Sequence, residues 1–285
     1  MLRNKKYTPY LFIAPAVILF AVFKVYPIID SFFLSFCETL GGSQTFNGIN
    51  NYLRLLNDQT FWKAMTNTLI FLVIQVPLML AMALVLATLL NASIVKMKGF
   101  FRGAFFLPSI TSLVACSLIF SIILMNDGLL NGVLEIFGLE PVRWLSTETT
   151  ARASVIMVMC WRWVGYNMVI YLAAMQNIPA EIYEAADLDG AGTIRKFFSI
   201  TIPHLKPIIL FTSIISTIST LQLFDEPYIL TKGGPSDATL TTGMYVYNTG
   251  FTYYDFGYAS TMAYAIVVII LILSAIQKKV AQEDD

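Results

Sequence analysis

Charged side chains are scarce in this sequence. Only 13% of its 285 residues are Asp, Glu, Lys or Arg, whereas 57% are hydrophobic and the mean hydropathy is +0.69. A soluble domain carries about a quarter charged residues. The composition therefore argues against a soluble domain and predicts a membrane protein that crosses the bilayer several times. Acidic and basic residues balance to a net charge of zero, so no basic field indicates a nucleic-acid partner.

The residues that build catalytic and metal sites are also scarce. The chain has one histidine, His204, and three cysteines at positions 37, 116 and 160, which lack paired spacing. The sequence therefore predicts no disulfide framework, no metal site and no cofactor. It contains no HExxH, GxSxG or G-x-x-x-x-G-K-[ST] motif. We expect a protein that is not itself an enzyme and that depends on a partner subunit for any ATP hydrolysis.

Six hydrophobic runs are long enough to cross a bilayer as helices, for which about 20 residues are needed. They cover residues 10–34, 67–90, 104–125, 151–176, 207–225 and 256–277. The first run follows MLRNKK but is too long for the apolar part of a secretory signal, so we expect it to be retained. The sequence predicts an all-α, polytopic membrane protein with six transmembrane helices.

The basic residues outside these runs predict how the chain is oriented. With the N-terminus in the cytoplasm, eleven lysines and arginines fall in cytoplasmic segments and five fall in outer loops. Because basic residues favour the cytoplasmic side, both termini are predicted to be cytoplasmic. Residues 1–66 then comprise a cytoplasmic tail, the first span and an outer loop, residues 67–277 form a core of five spans, and residues 278–285 form a second cytoplasmic tail.

A charged, glycine-broken loop at residues 179–203 lies on the cytoplasmic side in this orientation. Pro179 suits the first turn of a helix, and Gly190 and Gly192 are expected to end that helix. Thr193 is expected to cap a second short helix that Pro203 ends. The first helix would present a narrow face of small residues, which fits a groove on another protein better than a lipid surface. A solvated connector without a partner is the alternative.

Residues 181–203, EIYEAADLDGAGTIRKFFSITIP, resemble the EAA loop of ATP-binding-cassette (ABC) importer permeases. The matching pattern is EAA at 184–186, then Gly190, Ile200 and Pro203, whereas Ile202 stands where the family has leucine. The resemblance implies a coupling helix that docks on a cytoplasmic ATPase. It assigns this role to Glu184, Ala185, Ala186, Asp187, Asp189, Gly190, Ala191 and Pro203.

Two further segments resemble the carbohydrate-type permeases of this family: YLFIAPAVILFAVFKVYPIIDSFFLSF (10–36) and YILTKGGPSDATLTTGMYVYNTGFTYYDFGYAS (228–260). The resemblance covers nearly the whole chain. It is closest to the larger permease of maltose systems, in the shorter form of multiple-sugar and raffinose importers. It implies a type I ABC-importer transmembrane domain in the lipid of a bacterial cell membrane. The implied partners are a cytoplasmic ABC ATPase dimer, a second homologous six-span permease, and an extracellular sugar-binding protein that delivers a carbohydrate.

Polar and aromatic stripes in two spans predict a sugar pathway, because sugars are bound by polar groups that match hydroxyls and by flat aromatic faces. The residues in question are Trp163, Tyr166 and Asn167 in the fourth span and Ser216 and Thr220 in the fifth, with Gln222 following nearby. The resemblance supports the choice, since related maltose-type permeases line their sugar site from these two spans. For each residue alone, helix packing or anchoring at the membrane interface is the alternative.

Two other functions stay open at this point. An ion-coupled secondary sugar carrier needs ionisable residues near the bilayer midplane. Arg162 is the deepest such residue, placed to line a water-filled cavity or to pair with Asp225. A membrane scaffold without transport activity is the second alternative, and it predicts no effect of any solute.

Overall fold

The computed structural model describes residues 8–39, 43–92 and 95–283, and most of these residues are helical. They divide into two compact units. The first comprises the described residues up to Gln59 together with Val246–Val268, and the second comprises Thr60–Tyr245 together with the described residues from Ile269 onward.

The first unit contains the first hydrophobic helix and a small polar cluster. Its N-terminal elements are α1 (Thr8–Phe20), a π-helical turn (Ala21–Val25), α2 (Tyr26–Leu34), and the antiparallel pair β1 (Cys37–Glu38) and β2 (Thr45–Phe46), followed by α3 (Asn50–Asn57). Arg54 of α3 pairs with the Asp255 carboxylate at 2.7 Å and lies over the ring of Tyr258. Because Asp255 is only 4% exposed, this pair links the two chain segments of the unit more firmly than a surface ion pair would.

The remaining elements are helices. They are α4 (Gln59–Asn91), α5 (Lys98–Ile110), α6 (Leu113–Ile123), α7 (Leu129–Ile136), α8 (Glu148–Met175), α9 (Ala180–Leu188), α10 (Thr193–Lys196), α11 (Ile202–Leu221), α12 (Asp225–Leu230), α13 (Thr242–Tyr247) and α14 (Phe256–Glu283). Helix α8 is the centre of the second unit. Within its most apolar stretch of 18 residues, 61% is buried, compared with 33% for α4 and 17% for the segment that contains α11. Its side chains join those of α4, α6 and α11 in one hydrophobic core.

Five of the six predicted spans are single helical segments that are long and apolar enough to cross a membrane. They are Tyr10–Leu34, Gln59–Asn91, Glu148–Met175, Thr193–Leu221 and Phe256–Gln282. The expectation that residues 104–125 form one continuous span is wrong, because α5 and α6 meet at 97°. Thr111 and Ser112 between them are extended, with ψ of 145° and 126°. Pro108 in the last turn of α5 removes a backbone donor and favours the break. The described chain has six spans when this bent pair is taken as one.

The contact between α5 and α8 depends on a glycine. A Cβ atom added at Gly165 of α8 would overlap the backbone carbonyl of Phe105 of α5. Small residues allow membrane helices to approach in this way, so that backbone packs directly on backbone. The position therefore excludes every side chain.

Candidate functional site

A cavity of about 350 Å³ lies among α4, α8, α11 and α12 in the second unit. This volume falls at the lower end of the range of about 300–1,000 Å³ that is usual for small-molecule sites. All six residues predicted for the sugar pathway line it: Trp163, Tyr166, Asn167, Ser216, Thr220 and Gln222. The structure thus brings residues of two spans together around one space. That they contact a sugar stays a prediction.

Two side-chain amides in the cavity wall donate hydrogen bonds to a weak acceptor, the sulfur of a methionine. Gln75 Nε2 and Asn167 Nδ2 both donate to the sulfur of Met79, at 3.2 and 3.8 Å. Asn167 Nδ2 also donates to the carbonyl of Trp163, and Thr220 Oγ1 donates to Gln75 Oε1 at 3.3 Å. Because a thioether is a weak acceptor, a ligand hydroxyl would satisfy these amides better than the protein does.

Gln75 is a lining residue that the sequence analysis missed. It lies on α4 and is 2% exposed. The available signal was a lone amide in the middle of a span that has no charged residue. A buried amide in such a place needs polar partners, which the facing helices provide.

Aromatic rings form another part of the wall. Trp163 and Tyr166 meet edge to face, with ring centroids 5.8 Å apart, and Phe106 stacks on Tyr166 at 6.4 Å. Tyr166 is 40% exposed, so one side of its ring is accessible. Such faces pack against the C–H surfaces of a ligand, while the amides and hydroxyls fix its orientation.

Two acidic side chains complete the polar groups of the cavity wall, and a guanidinium lies close to one of them. Asp225 and Glu226, at the start of α12, line the cavity, and neither was assigned to the pathway from the sequence. Arg162 does not line it, contrary to one expectation; it is 8% exposed, and its guanidinium acts electrostatically on Glu226. The other expectation, an ion pair with Asp225, is also wrong, since the ion pairs of the described residues join other partners. Nε and Nη1 of Arg162 have no hydrogen-bond partner in the described chain.

The described residues offer no group of three or more His, Cys, Asp or Glu side chains that could hold a metal ion.

The EAA loop (residues 179–203) forms a second candidate site. The structure places Glu184, Ala185, Ala186 and Asp187 on α9, places Asp189, Gly190 and Ala191 in the turn that follows, and places Pro203 at the start of α11. Helix α9 has no buried residue, so this part of the loop is surface. Its docking role stays a prediction.

The turn after α9 requires a glycine. Gly190 has a φ of +71°, a conformation that costs other residues free energy because of their Cβ atom. The N–H of Ala191 donates to the carbonyl of Ala186 at 2.8 Å, and the N–H of Gly190 donates to that of Asp187 at 3.1 Å. These two bonds define a Schellman motif. The prediction that Gly190 ends the helix is confirmed.

Two predictions for the second half of the loop are wrong. Gly192, and not Thr193, is the N-cap of α10, and no side chain caps this helix. Pro203 does not end the helix, because α10 continues through a π-helical turn (Phe197–Thr201) into α11. In that turn the N–H of Ile202 bonds to the carbonyl of Phe197, five residues back. This pattern accommodates the missing N–H of Pro203 in the first turn of α11.

The loop also exposes apolar side chains that the sequence analysis missed. Leu188, Ile194 and Phe198 are 91%, 76% and 62% exposed. The two arms of the loop are tied by a 2.6 Å contact of Lys196 Nζ with Asp187 and by a hydrogen bond between the hydroxyls of Tyr183 and Thr201. These three apolar residues, which we call the loop patch, are thus presented on a fixed scaffold and suit contact with another protein.

Residues 59–283 match the family model described as "binding-protein-dependent transport system inner membrane component". The chain belongs to this family. A lactose transport system permease protein (LacF) of Rhizobium radiobacter is 47% identical over 279 residues, which cover 96% of this chain and 94% of that protein. An arabinooligosaccharides transport system permease protein (AraP) of Bacillus subtilis is 38% identical over 281 residues, which cover 98% and 90%.

The fold of this family member is also found in a solved structure. The crystal structure of a bacterial ABC transporter involved in the import of the acidic polysaccharide alginate contains a chain with a TM-score of 0.86 and 23% identity. The match covers 98% of this chain and 96% of that one. The resemblance to ABC-importer permeases and the all-α, type I transmembrane fold are therefore confirmed.

Proposed function

We propose that the cavity is the path of a saccharide through this chain, which is a permease subunit of an ABC importer. The observation that carries this proposal is the composition of the cavity wall: aromatic faces, hydroxyls and weakly satisfied amides meet around one space in a member of this family. The names of the lactose and arabinooligosaccharide relatives support a saccharide as the solute.

Each lining residue has a role that fits a polyhydroxylated solute. The rings of Trp163 and Tyr166 pack on its C–H faces. The amides of Gln75, Asn167 and Gln222 offer both donors and acceptors to its hydroxyls. The hydroxyls of Ser216 and Thr220 complete the α11 side of the path.

ATP hydrolysis takes place in partner subunits. A cytoplasmic ABC ATPase dimer binds the EAA loop, where Glu184 to Gly190 and the loop patch enter a groove on one ATPase. A second, homologous six-span permease forms the other half of the pore, and an extracellular binding protein delivers the saccharide. Both termini of this chain are cytoplasmic, which places the loop on the same side as the ATPases.

The loop and the cavity are joined by a single element. Thr193–Leu221 is one helical segment of 29 residues, with the loop at one end and Ser216 and Thr220 near the other. Because this segment is continuous, a displacement of the loop is transmitted along it to these cavity residues. Movement of the ATPases therefore displaces the α11 wall of the cavity, which switches the access of the path between the two sides of the membrane.

The experiment that tests this proposal is uptake of radiolabelled lactose and arabinooligosaccharides by cells that express the complete importer. Replacement of Asn167 by leucine is expected to lower uptake, because it removes a hydrogen-bonding group from the wall. Thr88→Val on α4 serves as the control, since the Thr88 hydroxyl bonds to the Leu84 carbonyl of its own helix and does not line the cavity. Equal uptake by both variants would remove the cavity from the pathway.

A further inference from the structure

All charged residues in the cavity wall are acidic. In the stretches that the structure describes, the wall includes Asp225 and Glu226 but no lysine, arginine or histidine. Asp225 is exposed, whereas Glu226 is 5% exposed. A ligand in the cavity therefore meets acidic side chains and no basic side chain of the wall.

Arg162 acts on these carboxylates from outside the cavity. Its guanidinium is buried in α8, next to Trp163, and acts electrostatically on Glu226. Asp225 takes no part in the ion pairs of the described residues, so its charge faces the cavity without a partner.

The negative charge of Asp225 in the cavity wall affects anionic and uncharged ligands differently. An anionic ligand would lie within several ångströms of Asp225 in surroundings less polar than water, where repulsion lowers its occupancy roughly tenfold or more. A hydroxyl group, in contrast, donates a charge-assisted hydrogen bond to the same carboxylate, which only accepts when ionised.

We propose that Asp225, supported by Glu226, selects uncharged saccharides and rejects anionic ones such as uronates and sugar phosphates. This inference rests on the proposed function of the cavity as the saccharide path. It separates this chain from the alginate importer, whose solute is acidic although the two chains share a fold.

The charge selectivity of the cavity can be measured without knowledge of the natural sugar. Ser219 lines the cavity and is exposed, so Ser219→Cys introduces a reactive thiol there once the three native cysteines are replaced by alanine. The probes are methanethiosulfonates of similar size that are neutral, positively charged or negatively charged. They are applied to membranes that contain the full chain with its partner subunits. Ser216→Cys provides a second position in case the first variant does not accumulate.

The rate at which each probe modifies the introduced cysteine is divided by the rate at which the same probe reacts with 2-mercaptoethanol in solution. The normalised rate of the anionic probe is expected to be roughly tenfold or more below that of the neutral probe. Asp225→Asn is expected to remove this difference. Asp127→Asn makes the same chemical change in the loop between α6 and α7, outside the cavity, and is expected to leave the rates unchanged.

Equal normalised rates for the anionic and neutral probes, or no response to Asp225→Asn, would overturn the assignment of Asp225. Uptake of radiolabelled lactose and arabinooligosaccharides by the cells from which these membranes are prepared tests the proposed function separately. Charge selectivity without uptake of either saccharide would support the charge assignment of Asp225 and reject the saccharide path. Saccharide uptake with equal probe rates would reject the role of Asp225 alone.

Discussion

The cavity and the EAA loop, both in the second unit, are built in opposite ways. In the cavity the polar groups are buried: Asn167 and Thr220 are 4% and 2% exposed. In the loop the apolar groups are exposed, with Leu188 at 91%. Buried polar groups need polar partners, and exposed apolar groups gain from a partner that removes them from water. The first arrangement suits a small polar solute, and the second suits a protein surface.

The two regions also use glycine for different reasons. Gly165, beside the cavity residues of α8, is required because the backbone of α5 leaves no room for a side chain. Gly190 in the loop has open space around it and is required by its φ of +71°. A substitution should therefore impair packing at the first position and loop geometry at the second, and the following predictions separate these effects.

The largest effect is expected for Gly165→Ala. The added Cβ would force α5 and α8 apart, which is expected to destabilise the chain by about 3 kcal/mol or more. Thermal unfolding in detergent and the amount of chain in the membrane measure this loss. Gly103→Ala on α5 is the control, because its Cβ meets no atom within 4 Å. Equal thermal stability of the two variants would show that α5 and α8 accommodate the added Cβ without loss of stability, contrary to this prediction.

The next largest effect is expected for Leu188→Asp. If the loop patch docks on an ATPase, the change is expected to weaken that binding by about 2 kcal/mol or more, as is usual for a central interface residue. Binding of the purified ATPase to membranes that contain the variant measures the effect. Leu139→Asp places the same substitution at another exposed leucine, after α7, and is expected to leave binding unchanged. Weaker binding in both variants would argue for a non-specific charge effect.

A smaller effect is expected for Gly190→Val. The strained backbone costs about 1–2 kcal/mol, which the loop can relieve by abandoning the docking geometry. We expect normal insertion but roughly tenfold lower ATP-driven uptake. Gly192 has an ordinary φ of −67° and equally open surroundings, so Gly192→Val is the matched control. Normal uptake by the Gly190 variant would contradict the coupling role of the turn.

The smallest effect is expected for Thr220→Val. It keeps the shape of the side chain but removes the hydrogen bond to Gln75, for which about 0.5–1.5 kcal/mol is typical. The KM for saccharide uptake is expected to rise about three- to tenfold, because the wall loses a polar group. Kinetics of lactose uptake measure this change, with Thr88→Val as the control. An identical KM in both variants would assign Thr220 to packing alone.

The sequence predicts best what local spacing determines. The five straight spans follow from hydrophobic runs, and the end of α9 follows from Gly190, since a helix ends readily at a residue that accepts positive φ. The six predicted residues that line the cavity could be chosen because polar and aromatic side chains recur along α8, along α11 and just after it. Each of these features depends on residues that are no more than about one helix length apart in the sequence.

The features that sequence reasoning missed depend on distant or irregular contacts. The bend between α5 and α6 and the passage of the chain through Pro203 need backbone geometry that no hydrophobic pattern encodes. Gln75 and Asp225 join the cavity only because α4 and α12 pack beside α8 and α11. The exposure of Leu188 is likewise a property of the folded loop, since leucine in a sequence usually predicts burial.

The most direct test of the account is accumulation of radiolabelled lactose in vesicles that contain this chain with the proposed partners, namely an ATPase dimer, a second permease and a binding protein. We expect accumulation that requires ATP, persists when a protonophore collapses the ion gradient, and is lost with Leu188→Asp. Accumulation by this chain alone, without ATP and abolished by the protonophore, would contradict the account and establish an ion-coupled carrier.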